Sequence, residues 1–288
     1  LKNLKIKAFN CKIESNLPIG AGISSSSALI CGIASGLNRL NNLKLTNDEI
    51  IDIVSDVEHN FIGLMGGIMD QFTIVNGKKN KLILLNCQNR SFKYINSDFN
   101  NYKFLLINTN VEHNLANSAY NERVKECNEA LSVINKKYNK YNCLVEVEEN
   151  ILNEFKNILK EKVYNRALFV IQENQRTYDS ANKISNSKLK EFGELMYKSH
   201  YGLKNLYQVS CKELDFLVEF TSNYEEIIGS RMMGGGFGGC TINLIKENFV
   251  DNFVDLVSQA YLDKFDIKLD AFTVNIDNGI TIKNINEF

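Results

Sequence analysis

Apolar and polar residues alternate from the first positions onward: Leu4, Ile6 and Ala8 are separated by Lys5 and Lys7, the period of a strand expected to need pairing partners not supplied upstream here. Leu29, Ile33, Leu37 and Leu40 then recur at helical spacing and predict a buried helix, with Gly32, Ala34 and Gly36 permitting close packing. Thr46-Asn47-Asp48-Glu49 is a capping box that opens a second helix, with Ile50, Ile53, Val54 and Val57 on one face and an end near Asn60 and Phe61. A glycine-rich segment over 63–67 leads into Ile68-Met69-Asp70-Gln71-Phe72 and a strand over 81–85.

A strand over 104–107 begins the second half, followed by a helix over 116–138. Residues 139–161 are polar and irregular and read as an insertion or a variable helix-loop element. Helices are expected over 164–184, 187–207 and 210–222, the last opened by Ser210-x-x-Glu213 as a capping box. The chain closes with a strand over 227–232, a glycine run over 234–239, a strand over 241–245, a helix over 249–265 and a strand over 271–276. This order predicts an α+β protein in two domains, 1–100 and 101–288, without repeats or a low-complexity linker.

Composition narrows the class. With 288 residues, 44% hydrophobic and 23% charged, the chain can bury one large core or two modest ones. A net charge of −1 gives no basic footprint for nucleic acid or a membrane surface, and no apolar run approaches the roughly 20 residues that span a bilayer. Seven scattered cysteines, odd in number and without a C-x-x-C pair, point to reduced thiols in a cytoplasmic compartment. His59, His113 and His200 lack metal-ligand spacing, and Cys240 reads as a small buried residue. The absence of an initiating Met is expected of a chain that starts inside a longer protein.

Chemistry concentrates in Leu17-Pro18-Ile19-Gly20-Ala21-Gly22-Ile23-Ser24-Ser25-Ser26-Ser27-Ala28, a flexible, hydroxyl-rich loop running straight into a helix. Glycines let a ligand approach the main chain, and a helix N-terminus offers unpaired N–H groups and the positive end of its dipole. Serine hydroxyls can bond phosphate or ligate magnesium, a hard cation that prefers oxygen. The same run also reads as a plain loop with a serine N-cap, and no lysine follows the glycines as in G-x-x-x-x-G-K-[ST].

Three segments, Pro18 to Ser26, Gly66-Gly67-Ile68-Met69-Asp70-Gln71-Phe72 and Arg231-Met232-Met233-Gly234-Gly235-Gly236-Phe237-Gly238-Gly239-Cys240, closely resemble in order and spacing the galactokinase branch of the GHMP small-molecule kinases. The resemblance extends through Asn108 to Arg123 and Glu173-Asn174-Gln175-Arg176-Thr177. It implies a two-domain GHMP kinase fold, an incomplete N-terminal ribosomal-protein-like α+β domain and a ferredoxin-like C-terminal one, with ATP-dependent phosphorylation of galactose at its anomeric hydroxyl in a cleft between them. Carried over by position, Gly20, Ala21, Gly22, Ile23, Ser24, Ser25 and Ser26 match the ATP phosphate loop. Ser26 and Glu58 match the Mg2+ ligands, Asp70 the base, Tyr120 a sugar contact, and Gly234, Gly235 and Gly236 a glycine loop near the substrates.

Each position has a plainer reading: Asp70 as a helix cap, Glu58 as a solvated carboxylate, Tyr120 as a half-buried anchor, the glycine run as a wide hairpin turn. Glu58 near a helix C-terminus meets the wrong end of the dipole, which itself suggests a compensating cation. The family's leading Arg and Gly-Glu-His-x-Asp motif have no counterpart here, so the chain alone is expected to be nearly inactive, with an exposed sheet edge and uncovered apolar surface. Ser27 stands where many members have Ala, a change expected to alter the loop little; Leu168 and Phe169 replace Arg and His, and Glu112 replaces an Arg of some members. The alternatives are a kinase for N-acetylgalactosamine or another small alcohol, and a non-catalytic sensor of galactose and ATP.

Overall fold

The computed structural model describes residues 4–18, 20–111 and 116–283, which form two compact units. One takes in the chain up to residue 97 together with the segment from 276 onward, and the other is 98–275. The division expected at 100 thus falls at 97, and the C-terminal segment, expected in the second domain, returns to the first. The head of the opening strand, Ile19, Glu112 and His113 lie outside the described residues.

In the first unit the capping box forms as read. The Glu49 N–H donates to the Thr46 hydroxyl at 3.2 Å and the Thr46 N–H to the Glu49 carboxylate at 2.9 Å, which starts helix α2 (Asn47–Val57). Helix α2 packs on α1 (Ser25–Leu40) and α3 (Met69–Asn76) around Cys31, Ile50 and Val54. The buried stripe of α1 differs from the expected leucine stripe: Ser27, Cys31 and Ser35 are buried, while Leu29 and Leu40 are 42% and 59% exposed. Which face of a helix is buried depends on what lies opposite, and here small residues at i, i+4 and i+8 admit their neighbours closely. A Cβ on Gly32 or Gly36 would meet nothing within 4 Å, so neither provides the close packing expected of it.

Residues 4–16 form no strand. Alternation defines two faces, but a strand needs a ladder, and among the described residues the hairpin of β1 (Lys81–Leu85) and β2 (Phe92–Asn96) pairs only with itself. The Lys7 N–H instead donates to Asn41 Oδ1 at 2.9 Å, and Leu4, Ile6, Phe9, Ile13 and Leu17 are exposed. Strand β2, which the pattern missed, is held by Phe92 edge-on to Phe72 and Tyr94, at 5.0 and 5.2 Å between ring centres. The returning chain adds backbone bonds from Ile280 to Ile74 and from Gly279 to Gly77, each 2.9 Å.

The second unit runs β3 (Tyr102–Asn108), α4 (Ala116–Tyr138), α5 (Glu149–Asn153), α6 (Glu161–Ser185), α7 (Leu189–Gly202), α8 (Lys212–Thr221), β4 (Ile227–Met232), β5 (Cys240–Lys246), α9 (Val250–Phe265) and β6 (Asp270–Val274). Its antiparallel sheet has the order β4-β5-β3-β6, the split β-α-β arrangement of ferredoxin-like folds. Leu105 and Ile107 bury against Leu217 of α8 and Phe253, Val257 and Tyr261 of α9. The stretch 139–161 is a helix-loop element that is packed rather than free: Leu144, Val147, Leu152, Phe155 and Leu159 form a core with Ala130, Ile134, Val163 and Ala167. Its buried residues are spaced by short turns, so no single period shows them. The capping box expected at Ser210 does not form; α8 starts after Cys211, and the Ser210 hydroxyl donates to Asp215 at 2.6 Å. No described helix is long and apolar enough to cross a membrane.

Helix α7 crosses β4 where Gly193 lies on Gly229, so closely that a Cβ on Gly193 would stand 1.8 Å from the Ile228 carbonyl oxygen. Gly193→Ala therefore has to push backbone from backbone, and we expect it to destabilise the protein by about 1–3 kcal/mol in urea unfolding, or more if the helix cannot shift.

Candidate active site

Gly20, Gly22 and Ser24 take left-handed backbone angles, with φ of 78°, 69° and 60°, around a fully buried Ala21. Alternating left-handed residues fold the loop back so that α1 begins at Ser25 with its N-terminus open. Ser24 occupies the N-cap position without capping; its hydroxyl donates instead to Asp70 Oδ2 at 2.5 Å. The first-turn N–H groups are thereby left without that cap, and the loop is tied to the first turn of α3. Asp70 does not cap its helix either, since Ile68 holds that position.

Glu58 follows α2 directly, at the head of a single wide turn, Glu58–Ile62, of the π type often found at functional positions. It is not a solvated carboxylate: 4% of it is exposed. The Ser27 hydroxyl donates to Oε1 at 2.6 Å and the Gln71 amide to Oε2, so one carboxylate joins α1, α2 and α3. Burial, with the Glu58 charge adding to it, pushes the neighbouring Cys31 thiol up to about 11. His59 reaches the Gly66 carbonyl at 2.9 Å and fastens the turn to the glycine-rich segment. Ser26, paired with Glu58 by position in the family, is exposed, and the hydroxyl that meets Glu58 is that of Ser27.

In the second unit Tyr120 lies in the first turn of α4, half-buried against the glycine loop; a Cβ on Gly235 would meet its ring at 3.6 Å. The loop does connect β4 and β5 as a hairpin, but it is pinned at several points. Phe237 N–H donates to Val209 O at 2.7 Å, Met233 N–H to Cys240 O at 3.0 Å, and Thr109 to Gly239 O through both its N–H and its hydroxyl. At Gly236, φ is 84° and a Cβ would fall 2.1 Å from the Val209 oxygen. Val209 is in turn set by a buried ionic clasp. Arg123 donates to the Tyr207 and Gln208 carbonyls, Arg166 to the Leu206 carbonyl and the Gln208 side chain, and both meet Glu126, with Lys162 at its other oxygen. Cys240 is buried, as its reading required, and burial beside Asp270 pushes its thiol up to about 12. His200 is also buried, accepting the Met232 N–H at 3.3 Å on the strand that leads into the loop.

Asp70, Glu58, Tyr120 and both loops stand out in the sequence as candidates, but three side-chain partners do not: Ser24 for Asp70, and Ser27 and Gln71 for Glu58. Ser27 and Cys31, one turn apart on a helix facing another helix that ends in Glu58, carried a faint signal. The Arg123–Glu126 pair at i, i+3 was a second.

The chain matches the GHMP kinases N-terminal domain over residues 1–78 and the GHMP kinases C-terminal domain over residues 181–261. With the architecture, these define the class as a small-molecule kinase of the GHMP type. Galactokinase of Clostridium tetani is 40% identical over 280 residues, 96% of this chain and 71% of the relative, and that of Clostridium acetobutylicum is 39% identical over 272 residues, 94% and 70%. The crystal structure of Lactococcus lactis galactokinase complexed with galactose superposes with a TM-score of 0.87 at 31% identity, covering 91% of this chain and 68% of that one. The chain belongs to the galactokinase family of the GHMP kinases, a family of phosphotransferases.

The clasp gives a pH prediction. Burial alone would raise the Glu126 carboxyl, but Lys162, Arg123 and Arg166 hold it below its ordinary range. A carboxylate with a depressed folded pKa contributes stability above its unfolded pKa, near 4.5, and loses it as pH falls through the lower folded value. Glu126→Gln is therefore expected to lower the unfolding midpoint at pH 7, with the gap to the unsubstituted protein closing below about pH 4 in a thermal series.

Proposed function

We propose that the protein transfers the γ-phosphoryl group of ATP to the anomeric hydroxyl of galactose, releasing ADP and galactose 1-phosphate. The observation that carries this reading is the Ser24–Asp70 hydrogen bond, which ties a carboxylate to an uncapped helix N-terminus suited to phosphate. A sugar hydroxyl is a weak nucleophile at neutral pH. A carboxylate within reach accepts its proton as the bond to phosphorus forms. Ser24 occupies Oδ2 of Asp70, which leaves Oδ1 to receive that proton. The likeness to galactokinases, one of them solved with galactose, supports galactose as the acceptor.

Residues 20–26 would bind the triphosphate through main-chain N–H groups and serine hydroxyls, and Tyr120 would contact the sugar while Gly234, Gly235 and Gly236 shape the loop beside it. Magnesium fits the donor set. Glu58 and Ser26 offer oxygen, and Gln71 Oε1 is buried without a partner, on an amide whose nitrogen bonds Glu58. Such an acceptor suits a metal-bound water. When bound, magnesium neutralises the β and γ phosphate oxygens. Glu58 would supply the carboxylate, held by Ser27 and Gln71. Free thiols at all seven cysteines support a reducing, cytoplasmic setting.

Labelled phosphate transfer from ATP to galactose tests the reading, measured on this chain beside a version that carries the family's leading Arg and Gly-Glu-His-x-Asp motif, in which the activity is expected to reside. Asp70→Asn is expected to cut transfer by about 10²–10⁴-fold while ATP still binds. Transfer that survives the substitution removes Asp70 as the base, whereas binding of both ligands without transfer in the version that carries the leading motif identifies a sensor.

A further inference from the structure

Ser27 does more than its position in the loop suggested. Ser27 and Glu58 are each 4% exposed, and their 2.6 Å contact lies in the range of a hydroxyl donating to a charged carboxylate. Gln71, 2% exposed, takes the other oxygen. One donor on each oxygen fixes the carboxylate plane between α1 and α3 and leaves a lone pair on each oxygen. No salt bridge to Glu58 is present among the described residues, so hydrogen bonds and any bound cation must answer for the buried charge.

We propose that Ser27 is a positioning residue for the metal carboxylate: its hydroxyl holds Glu58 in the orientation that receives the divalent cation accompanying the nucleotide. This rests on the reading of Glu58 as that carboxylate. Ala at this position fills the same helix site but leaves Oε1 buried without its donor, and the carboxylate then turns between α1 and α3. Partners that orient a metal ligand typically change metal affinity by 10–100-fold when removed.

The test is direct binding of Mn2+, counted as free ion by electron paramagnetic resonance, to the protein with a non-hydrolysable ATP analogue. Ser27→Ala is expected to weaken Mn2+ binding about tenfold, and Ser27→Cys, equal in shape but a poor donor, to do the same. Ser27→Thr, which keeps the hydroxyl, is expected to restore it. In turnover, Ser27→Ala should raise the Mg2+ concentration needed for half-maximal rate while leaving kcat at saturating Mg2+ within about twofold, a split that a merely structural loss would not produce. Unchanged Mn2+ affinity in both Ser27→Ala and Ser27→Cys, alongside a loss in Glu58→Gln, overturns the role of Ser27 alone. Unchanged affinity in Glu58→Gln overturns the assignment of Glu58 on which it rests.

Discussion

A carboxylate taken out of water must be answered by donors or by a cation, and the first unit is organised around that requirement at Glu58. The side chain sits where α2 gives way to a wide turn, and its two oxygens draw in Ser27 from α1 and Gln71 from α3. Three helices from separate stretches of sequence are thereby registered against one charge. The small stripe of Ser27, Cys31 and Ser35 follows from this, because a larger residue on that face of α1 would hold the helices apart and break the contact. Asp70 repeats the principle one residue before Gln71, spending its Oδ2 on Ser24 and so fixing the glycine and serine loop.

The second unit solves a different problem, the placement of a nearly side-chain-free loop. Glycines permit close approach but hold nothing by themselves, so the order of residues 234–239 comes from the backbone around them. Val209, Thr109 and Cys240 each bond the loop, and the Arg123–Glu126–Arg166 clasp holds the carbonyls just before Val209. Buried arginines and a glutamate are a costly way to fix a turn. They tolerate burial here because nearly every donor finds an acceptor, including main-chain carbonyls that a helix end would otherwise leave open.

Much of this was legible in the residues themselves. Thr46 and Glu49 announced the start of α2 because a capping box is a local device, complete within four positions. The helix over 116–138 and the strands flanking the glycine run were equally local, set by period and by turn residues. Strand β2 escaped because Phe92 packs on Phe72, on a separate helix, and Tyr94 packs on Phe92 in turn. The opening alternation failed in the opposite sense, with the right period but no ladder to join.

The sequence by itself determined which groups were candidates for chemistry and where each lies along the chain: a glycine and serine loop before a helix, the carboxylates Glu58 and Asp70, a tyrosine near a helix start, a glycine run between strands. Tertiary structure decided their partners. Ser27 rather than Ser26 reaches Glu58, and Ser24 turns from capping its own helix to holding Asp70. Those choices join residues 31 and 46 positions apart, and a pairing of that kind depends on how helices pack rather than on any pattern within one of them.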